Sequence, residues 1–259
     1  MHRSDVAEDP RATLKELAAD IEAHFGRRLL GLYLFGSLAA AGFYPGRSDL
    51  DLVAVLDTEV ADGPDLDSLR TLHEAFEAAR PEWRDRIEVL YISRAVLASF
   101  ATTPTGMIAR ISPGEPMHLR DLDGIIGWIL DWYGVLSVGE RLSGPPPLEL
   151  GPEVSRERFL EAVRSELVIL RTEVRANTVA YVPAQQGYLT ATICRALYSL
   201  AIGEQTSKER AVEWAAARHP ESADFLRAMY AAYRADIRGP HERLIRFVDS
   251  ATAEAGNEA

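Results

Sequence analysis

Two short motifs bring together a glycine, hydroxyl groups and carboxylates in an order that suits phosphate and metal chemistry. Gly36 and Ser37 follow one apolar run, and residues 48–51 (SDLD) open a second. Asp49 and Asp51 are two positions apart, and alternate side chains of a strand share one face, so both carboxylates should project together. Paired carboxylates suit a hard divalent cation. Gly36 lets the backbone approach a phosphate, and Ser37 adds a hydroxyl donor, so the pattern predicts a site for magnesium and a nucleoside triphosphate.

A third carboxylate, Glu88, lies inside the strand-like run 86–92 (RIEVLYI). A charge within an apolar strand is costly unless it has a partner. A bound metal would supply one, and a carboxylate within reach of a substrate hydroxyl can also act as a general base. The alternative is an ion pair with Arg86 on the same strand face.

The apolar pattern around these residues predicts the elements that position them. Apolar residues at helical spacing predict an opening helix that ends near Phe25, and Pro81 ends a second helix. The predicted strands are 29–35, 49–56 and 86–92, and the second helix lies between the last two. Strand, helix and strand in this alternation indicate an α/β domain with a mixed sheet and flanking helices.

The segment 143–147 (SGPPP) is the clearest boundary in the chain, because a proline-rich spacer neither continues a helix nor joins a sheet. An apolar helix is predicted just before it, over 121–136. Beyond it the pattern is helical and predicts an all-α bundle. The predicted helices are 155–176, 187–201, 207–217, 221–234 and 241–253. We therefore divide the chain into domains 1–148 and 149–259.

Composition limits the function classes. The chain of 259 residues has a net charge of −11 and one cysteine, Cys194, which excludes an internal disulfide framework. The acidic balance argues against nucleic acid as a partner and suits a cationic small molecule. No run has the length of a membrane span, and no secretory signal is recognised. We expect a cytoplasmic protein without a membrane partner, and a monomer, since no predicted apolar seam is left unpaired.

The motifs resemble a known superfamily. A Gly-Ser pair, then Ser-Asp-x-Asp and a later strand carboxylate, are similar to the nucleotidyltransferases that include DNA polymerase β. The chain as a whole resembles the bacterial aminoglycoside adenylyltransferases of the streptomycin/spectinomycin type. Residues 193–199 (ICRALYS) and 207–215 (SKERAVEWA) resemble that family's helical domain. Only the segment 98–120 matches poorly.

The resemblance implies transfer of AMP from ATP to a hydroxyl of an aminoglycoside or aminocyclitol, with Mg²⁺ as cofactor. It also implies a set of site residues. These are Asp49 and Asp51 for the metal, Glu88 as the base that touches the acceptor, and Gly36, Ser37, Ser48, Arg195, Lys208 and Tyr233 for ATP. Ser48 can equally serve as a cap of its loop or strand.

Three of these residues lie in the helical half. The pattern Thr206-x-x-Glu209 predicts a capping box, which puts Lys208 in a first helical turn, where an anion would offset its unfavourable position. Arg195 can bind phosphate or form an internal ion pair. Tyr233 can stack on adenine or pack in the core. If these residues touch ATP, the helical domain closes over an active site between the two domains.

The resemblance also bears on the acceptor. Family members that accept streptomycin use a tryptophan and an acid where this chain has Pro116 and Gln185. A neutral amide cannot form the charge-assisted pair that a guanidinium requires, so streptomycin is disfavoured and spectinomycin is expected. Two alternatives stay open: nucleotidyl transfer to another acceptor, such as a protein side chain, an RNA end or another small molecule, and a non-catalytic nucleotide sensor.

Overall fold

The structure, a computed structural model, describes residues 9–176, 185–235 and 241–257. It divides into two compact units, one that extends to Val154 and one that begins at Ser155. The first unit is α/β and the second is helical, which confirms the predicted fold class. No helix among the described residues is long and apolar enough to cross a membrane.

The first unit alternates strands and helices. Its strands are β1 (Leu29–Phe35), β2 (Leu50–Leu56), β3 (Ile87–Ser93), β4 (Met107–Ser112), β5 (Glu115–Asp121) and β6 (Glu140–Ser143). Its helices are α1 (Pro10–Phe25), α2 (Gly36–Ala39), α3 (Pro64–Ala79), α4 (Arg94–Ala98) and α5 (Ile129–Val138). The strands form one mixed sheet in the order β5-β4-β3-β2-β1-β6. Only the pair β2 and β3 is parallel within this sheet, and α3 makes the crossover between them.

The three strands predicted from buried apolar runs are confirmed, but β4, β5 and β6 were missed. The strand β5 carries Pro116 and several charged residues and lies at the sheet edge, so it lacks the apolar signal of a central strand. The predicted helix over 121–136 is wrong at its start. Asp123 and Gly124 adopt positive φ angles in a turn after β5, and α5 begins only at Ile129.

The two faces of the sheet have different roles. One face packs against α1 and α3 and forms the main core, with residues such as Leu34, Leu52 and Val89 fully buried. Because side chains alternate, Asp51 and Glu88 belong to the opposite face. Helix α5 packs on that opposite face, where its buried Trp132 contacts Tyr33 with ring centroids 6.0 Å apart.

The proline-rich segment predicted as a spacer is anchored to the first unit. The Tyr33 hydroxyl donates to the carbonyl of Pro145 at 2.8 Å. Further along, Trp132 Nε1 donates to the carbonyl of Pro152 at 2.8 Å. These bonds attach the chain that follows β6, up to residue 152, to β1 and α5.

The second unit contains only helices among its described residues. They are α6 (Arg156–Arg175), α7 (Gln185–Ile202), α8 (Lys208–Arg218), α9 (Ala223–Ala235) and α10 (His241–Asn257). Ser155 caps α6, since its hydroxyl accepts from the Arg158 amide. Cys194 is fully buried in α7, and burial raises the pKa of its thiol, so the cysteine packs in the core as expected.

The turn after β1 depends on a glycine. Gly36 has φ +67°, a conformation that disfavours residues with a side chain. A Cβ added there would collide with the carboxylate of Asp51. It would also lie only 2.8 Å from the Cβ atom of Asp51. The backbone of this turn is therefore held directly against Asp51.

A buried histidine lies on the side of the sheet that packs against α1 and α3. His73 of α3 is 1% exposed, and its Nε2 lies 2.7 Å from the hydroxyl of Tyr91 on β3. Burial lowers the pKa of His73 to about 3, assisted by the nearby charge of His24. The imidazole is therefore neutral in the folded protein at pH 7.

Gly36→Ala should destabilise the first unit more than Gly46→Ala. Both glycines have positive φ, so each substitution should cost about 1–2 kcal/mol of backbone strain. Only at position 36 does the new methyl group meet other atoms, which should add about 1–3 kcal/mol. Urea unfolding followed by tryptophan fluorescence measures the difference, and equal losses would show that the contact with Asp51 is not tight.

The stability of the first unit should fall with acid through His73. In the unfolded chain the imidazole titrates near 6.5, whereas its pKa in the folded protein is about 3. Stability from the neutral imidazole is complete above pH 6.5 and is lost as the pH falls toward 3, by up to about 1.4 kcal/mol per pH unit. His73→Gln should flatten this part of the curve of unfolding free energy against pH. Parallel curves for variant and wild type would refute the assignment.

Candidate functional site

The acidic motif places two carboxylates on the same side of the chain. Leu50, between Asp49 and Asp51, is fully buried in the core against α1 and α3. Asp49 and Asp51 flank it and are both partly exposed. Since alternate residues of an extended chain point to opposite sides, this alternation assigns both carboxylates to the face away from Leu50.

The strand register brings other predicted residues to Asp51. It is the Cα partner of Glu88 across the parallel pair β2 and β3, and of Phe35 across β1. The Gly36 turn and the half-buried Ser37 therefore begin directly beside Asp51. The structure thus assembles Gly36, Ser37, Asp51 and Glu88 at one place in the first unit.

Glu88 has a partner that sequence reasoning missed. Arg110 Nη2 donates to Glu88 Oε1 at 2.6 Å, and both side chains are about one-fifth exposed. Asp51, Glu88 and Arg110 therefore lie on one face of three adjacent strands. Arg86, the partner considered from the sequence, stacks on Trp83 and donates to the carbonyl of Ser48 at 2.6 Å. No sequence signal pointed to Arg110, because β4 itself was not predicted.

Ser48 fixes the loop that leads into β2. Its hydroxyl accepts from the Tyr44 amide at 2.9 Å, and its own amide donates to the Tyr44 carbonyl at 2.9 Å. With Arg86 on its carbonyl, Ser48 holds the approach to Asp49 in place. The structure therefore displays the loop-capping role that was one of the two roles expected for this serine.

The acidic residues fit a metal that arrives with a phosphate ligand. Within the parts of the chain that the structure describes, no group of three or more His, Cys, Asp or Glu side chains is arranged to hold a metal. Magnesium is commonly bound through one or two carboxylates, with phosphate oxygens and water completing its shell. Asp49 and Asp51 offer that donor set, so they fit Mg²⁺ bound together with a nucleotide rather than in a preformed cage.

In the second unit, Lys208 is the first residue of α8, as expected for a first-turn lysine. The cap differs from the prediction: Ser207, not Thr206, accepts from the Arg210 amide, at 3.2 Å. Ser207 has the β-region backbone of an N-cap, which moves the helix start one residue along. The ammonium of Lys208 donates to the Tyr233 hydroxyl at 3.2 Å.

Two tyrosines contact this lysine, and a third stacks on one of them. The Nζ of Lys208 lies 4.5 Å from the ring centroid of Tyr188 and 5.0 Å from that of Tyr233. Tyr230 stacks on Tyr233 with centroids 6.3 Å apart. Tyr233 is half-buried rather than in the core, and Tyr188 is exposed. Tyr230 and Tyr233 are three residues apart on α9, so their contact could have been predicted from the sequence. Tyr188 lies on α7, so its contact could not.

The remaining predicted residues are less well defined. Arg195 is half-buried in α7 and forms no ion pair with the described residues, so the internal pair considered for it is not observed. Gln185 is the first residue of α7, but its side chain lies outside what the structure describes. Pro116 is exposed on β5.

Two comparisons with known proteins found similarity, one in sequence and one in fold. No curated protein matches the sequence. The family model for the C-terminal domain of aminoglycoside adenylyltransferases matches residues 149–254. The spectinomycin adenyltransferase AAD(9) from Enterococcus faecialis, crystallised with ATP and spectinomycin, is similar with a TM-score of 0.75 and 16% identity, over 96% of this chain and 100% of that chain.

At that identity, the likeness to AAD(9) shows a shared fold. The family model adds a match of sequence in the helical half, which contains the similar segments 193–199 and 207–215. The family model therefore confirms the resemblance to the aminoglycoside adenylyltransferases over residues 149–254, and the structural match confirms the shared fold.

Proposed function

We propose that this protein is a nucleotidyltransferase that transfers AMP from ATP to a hydroxyl of an aminoglycoside or aminocyclitol. One observation carries the proposal: Asp51 and Glu88 are register partners on parallel strands, and the Gly36 turn is packed against Asp51. This proximity supports roles for Asp51 as metal ligand, Glu88 as base and the Gly36 turn as phosphate-binding group. The family match of the helical half supports the same activity.

The acidic residues and the turn divide the chemistry between them. Asp49 and Asp51 would hold Mg²⁺, which neutralises charge on the triphosphate when bound. Glu88 takes the proton of the acceptor hydroxyl, whose oxygen attacks the α-phosphorus while the bond to the β-phosphate oxygen breaks. Gly36 and Ser37 bind the departing pyrophosphate through backbone amides and the hydroxyl. Ser48 keeps Asp49 in position and is a further candidate donor to the nucleotide.

The second unit, taken by itself, carries cationic and aromatic groups that suit a nucleotide. Lys208 begins a helix, where the helix dipole and free amides favour a phosphate. Arg195 is half-buried and has no ion pair with the described residues, so a phosphate would provide its missing partner. Tyr233 offers a ring for adenine beside Lys208. We propose these three residues as ATP ligands.

We propose spectinomycin rather than streptomycin as the acceptor. Gln185 is neutral and Pro116 is not aromatic, so the two groups linked to streptomycin in similar enzymes are missing. AAD(9) was crystallised with spectinomycin, which supports this choice by analogy. The net charge of −11 favours a cationic acceptor over nucleic acid. We expect the protein to act as a monomer in the cytoplasm and to confer resistance to its acceptor.

Pyrophosphate release tests the reaction. Purified protein with ATP and magnesium should release pyrophosphate with spectinomycin, and not with streptomycin or kanamycin. Asp51→Asn should lower the rate by about two orders of magnitude or more, the scale of losing one preorganised charge contact. Asp57→Asn is the matched control, since Asp57 is exposed just beyond the other end of β2 and should leave the rate unchanged.

The outcomes separate the candidate functions. Turnover of streptomycin would refute the proposed selectivity. Release with none of the three drugs, while ATP still binds, would point to another acceptor or to a nucleotide sensor. Equal loss in both aspartate variants would show that Asp51 has no special role.

Lysine labelling tests the nucleotide contact in the second unit. The chain contains only two lysines, Lys15 and Lys208, so acetylation of each can be followed by mass spectrometry. ATP at ten times its Kd should slow acetylation of Lys208 by about tenfold, because only the free fraction reacts. Exposed Lys15 on α1 is the internal control and should react at an unchanged rate. Identical rates for Lys208 with and without ATP would exclude it as a ligand.

A further inference from the structure

The contact between Arg110 and Glu88 does more than neutralise a partly buried charge. The 2.6 Å bond joins Arg110 Nη2 to Oε1 of the carboxylate, and no hydrogen bond from the described residues reaches Oε2. Charge-assisted bonds of this length are strong and directional, particularly where water has limited access. One oxygen of Glu88 is therefore anchored while the other is left for a different partner.

Arg110 is itself held by further groups besides Glu88. Its guanidinium lies over the ring of Trp128, 5.4 Å from the centroid. Burial tends to lower the pKa of Arg110, but the charges of Glu88 and Asp131 outweigh it, so the pKa is raised. Glu115 lies 4.0 Å away on β5. Arg110 is thus a permanent cation with a fixed position.

The strand register makes this anchoring necessary. Glu88 is the Cα partner of Asp51, and adjacent strands lie about 4.8 Å apart, so a free Glu88 side chain would reach a metal on Asp51. Arg110 is the Cα partner of Leu90, two residues beyond Glu88 on the same face, and pulls the carboxylate along β3. Accordingly, the described residues contain no three-carboxylate group that could hold a metal.

We propose that Arg110 is a positioning residue that keeps Glu88 out of the metal shell and free to accept the proton of the acceptor hydroxyl. This inference rests on the proposed function, because it assigns Glu88 the role of base. Without Arg110, Glu88 turns toward Asp49 and Asp51 and becomes a third ligand. The metal is then bound more tightly, and the base is lost.

Manganese binding tests this inference without any acceptor. Mn²⁺, as a stand-in for Mg²⁺, is titrated into the full chain with a non-hydrolysable ATP analogue and followed by electron paramagnetic resonance. Arg110→Met keeps the length and apolar stem of the side chain but removes the charge, and should tighten Mn²⁺ binding by about tenfold or more. Arg120→Met is the matched control: Arg120 also lies 5.4 Å from the Trp128 centroid, but it is exposed and should leave Mn²⁺ binding unchanged.

A double-mutant cycle separates ligation by Glu88 from a general effect of charge. Glu88→Gln alone should bind Mn²⁺ like the wild type, since Glu88 is not a ligand there. Adding Arg110→Met to Glu88→Gln should then change nothing. If the double variant binds Mn²⁺ more tightly than Glu88→Gln, the effect is electrostatic and the inference is overturned.

Steady-state kinetics give a second readout. Arg110→Met should lower kcat by about 10- to 100-fold, with the KM values for ATP and acceptor little changed, because binding groups are untouched. Arg110→Lys should recover part of kcat, since it restores a cation to Glu88. Loss through KM alone, or no recovery with lysine, would contradict the positioning role.

The remaining outcomes are also decisive. If Arg110→Met fails to fold by circular dichroism, Arg110→Lys replaces it in the cycle, with a smaller tightening expected. If the wild type releases no pyrophosphate but the Mn²⁺ shift depends on Glu88, the proposed function fails while the placement of Glu88 by Arg110 stands. If Mn²⁺ binds to no variant even with the nucleotide analogue, both proposals are overturned.

Discussion

The parallel pairing of β2 with β3 is the constraint on which the first unit depends. It makes Asp51 and Glu88 neighbours, although two like charges at that distance repel. The apolar residues on either side of each carboxylate are buried in the core, so neither strand can shift by one residue without exposing them. The burial of these apolar residues thus holds Asp51 and Glu88 together despite their repulsion. The surrounding cations and loops offset that repulsion.

The central part of this arrangement could be predicted from sequence, and the edges could not. Strands β1, β2 and β3 are continuous apolar runs, so their positions followed from hydrophobicity, and Asp51 and Glu88 stood out as charges inside them. Strand β5 contains Pro116, His118 and Arg120, a composition that also suits a loop. Because β4 was not recognised, its Arg110 could not be paired with Glu88. The contact depends on a register that no local pattern encodes.

In the second unit, the local sequence predicted where a helix begins, but it did not predict the contacts between helices. Lys208 was placed in a first helical turn from capping residues alone, even though Ser207 rather than Thr206 is the cap. The tyrosine cluster around Lys208 joins residues from α7 and α9. Gly187 permits that approach, since a Cβ there would lie 2.5 Å from Tyr233 Cβ. Such a close helix crossing is a tertiary property, visible in the sequence only as an isolated glycine.

Charge balance explains why a cation beside Glu88 is compatible with the proposed metal site. Asp49, Asp51 and Glu88 carry three negative charges, and Arg110 removes one of them at a distance of 2.6 Å. Asp49 and Asp51 are the two carboxylates proposed to bind the divalent cation. A third free carboxylate would favour a tightly held metal with fewer sites left for phosphate oxygens. Under the proposed function, the bond from Arg110 to Glu88 would keep the metal dependent on the nucleotide and leave the proposed base outside the coordination shell.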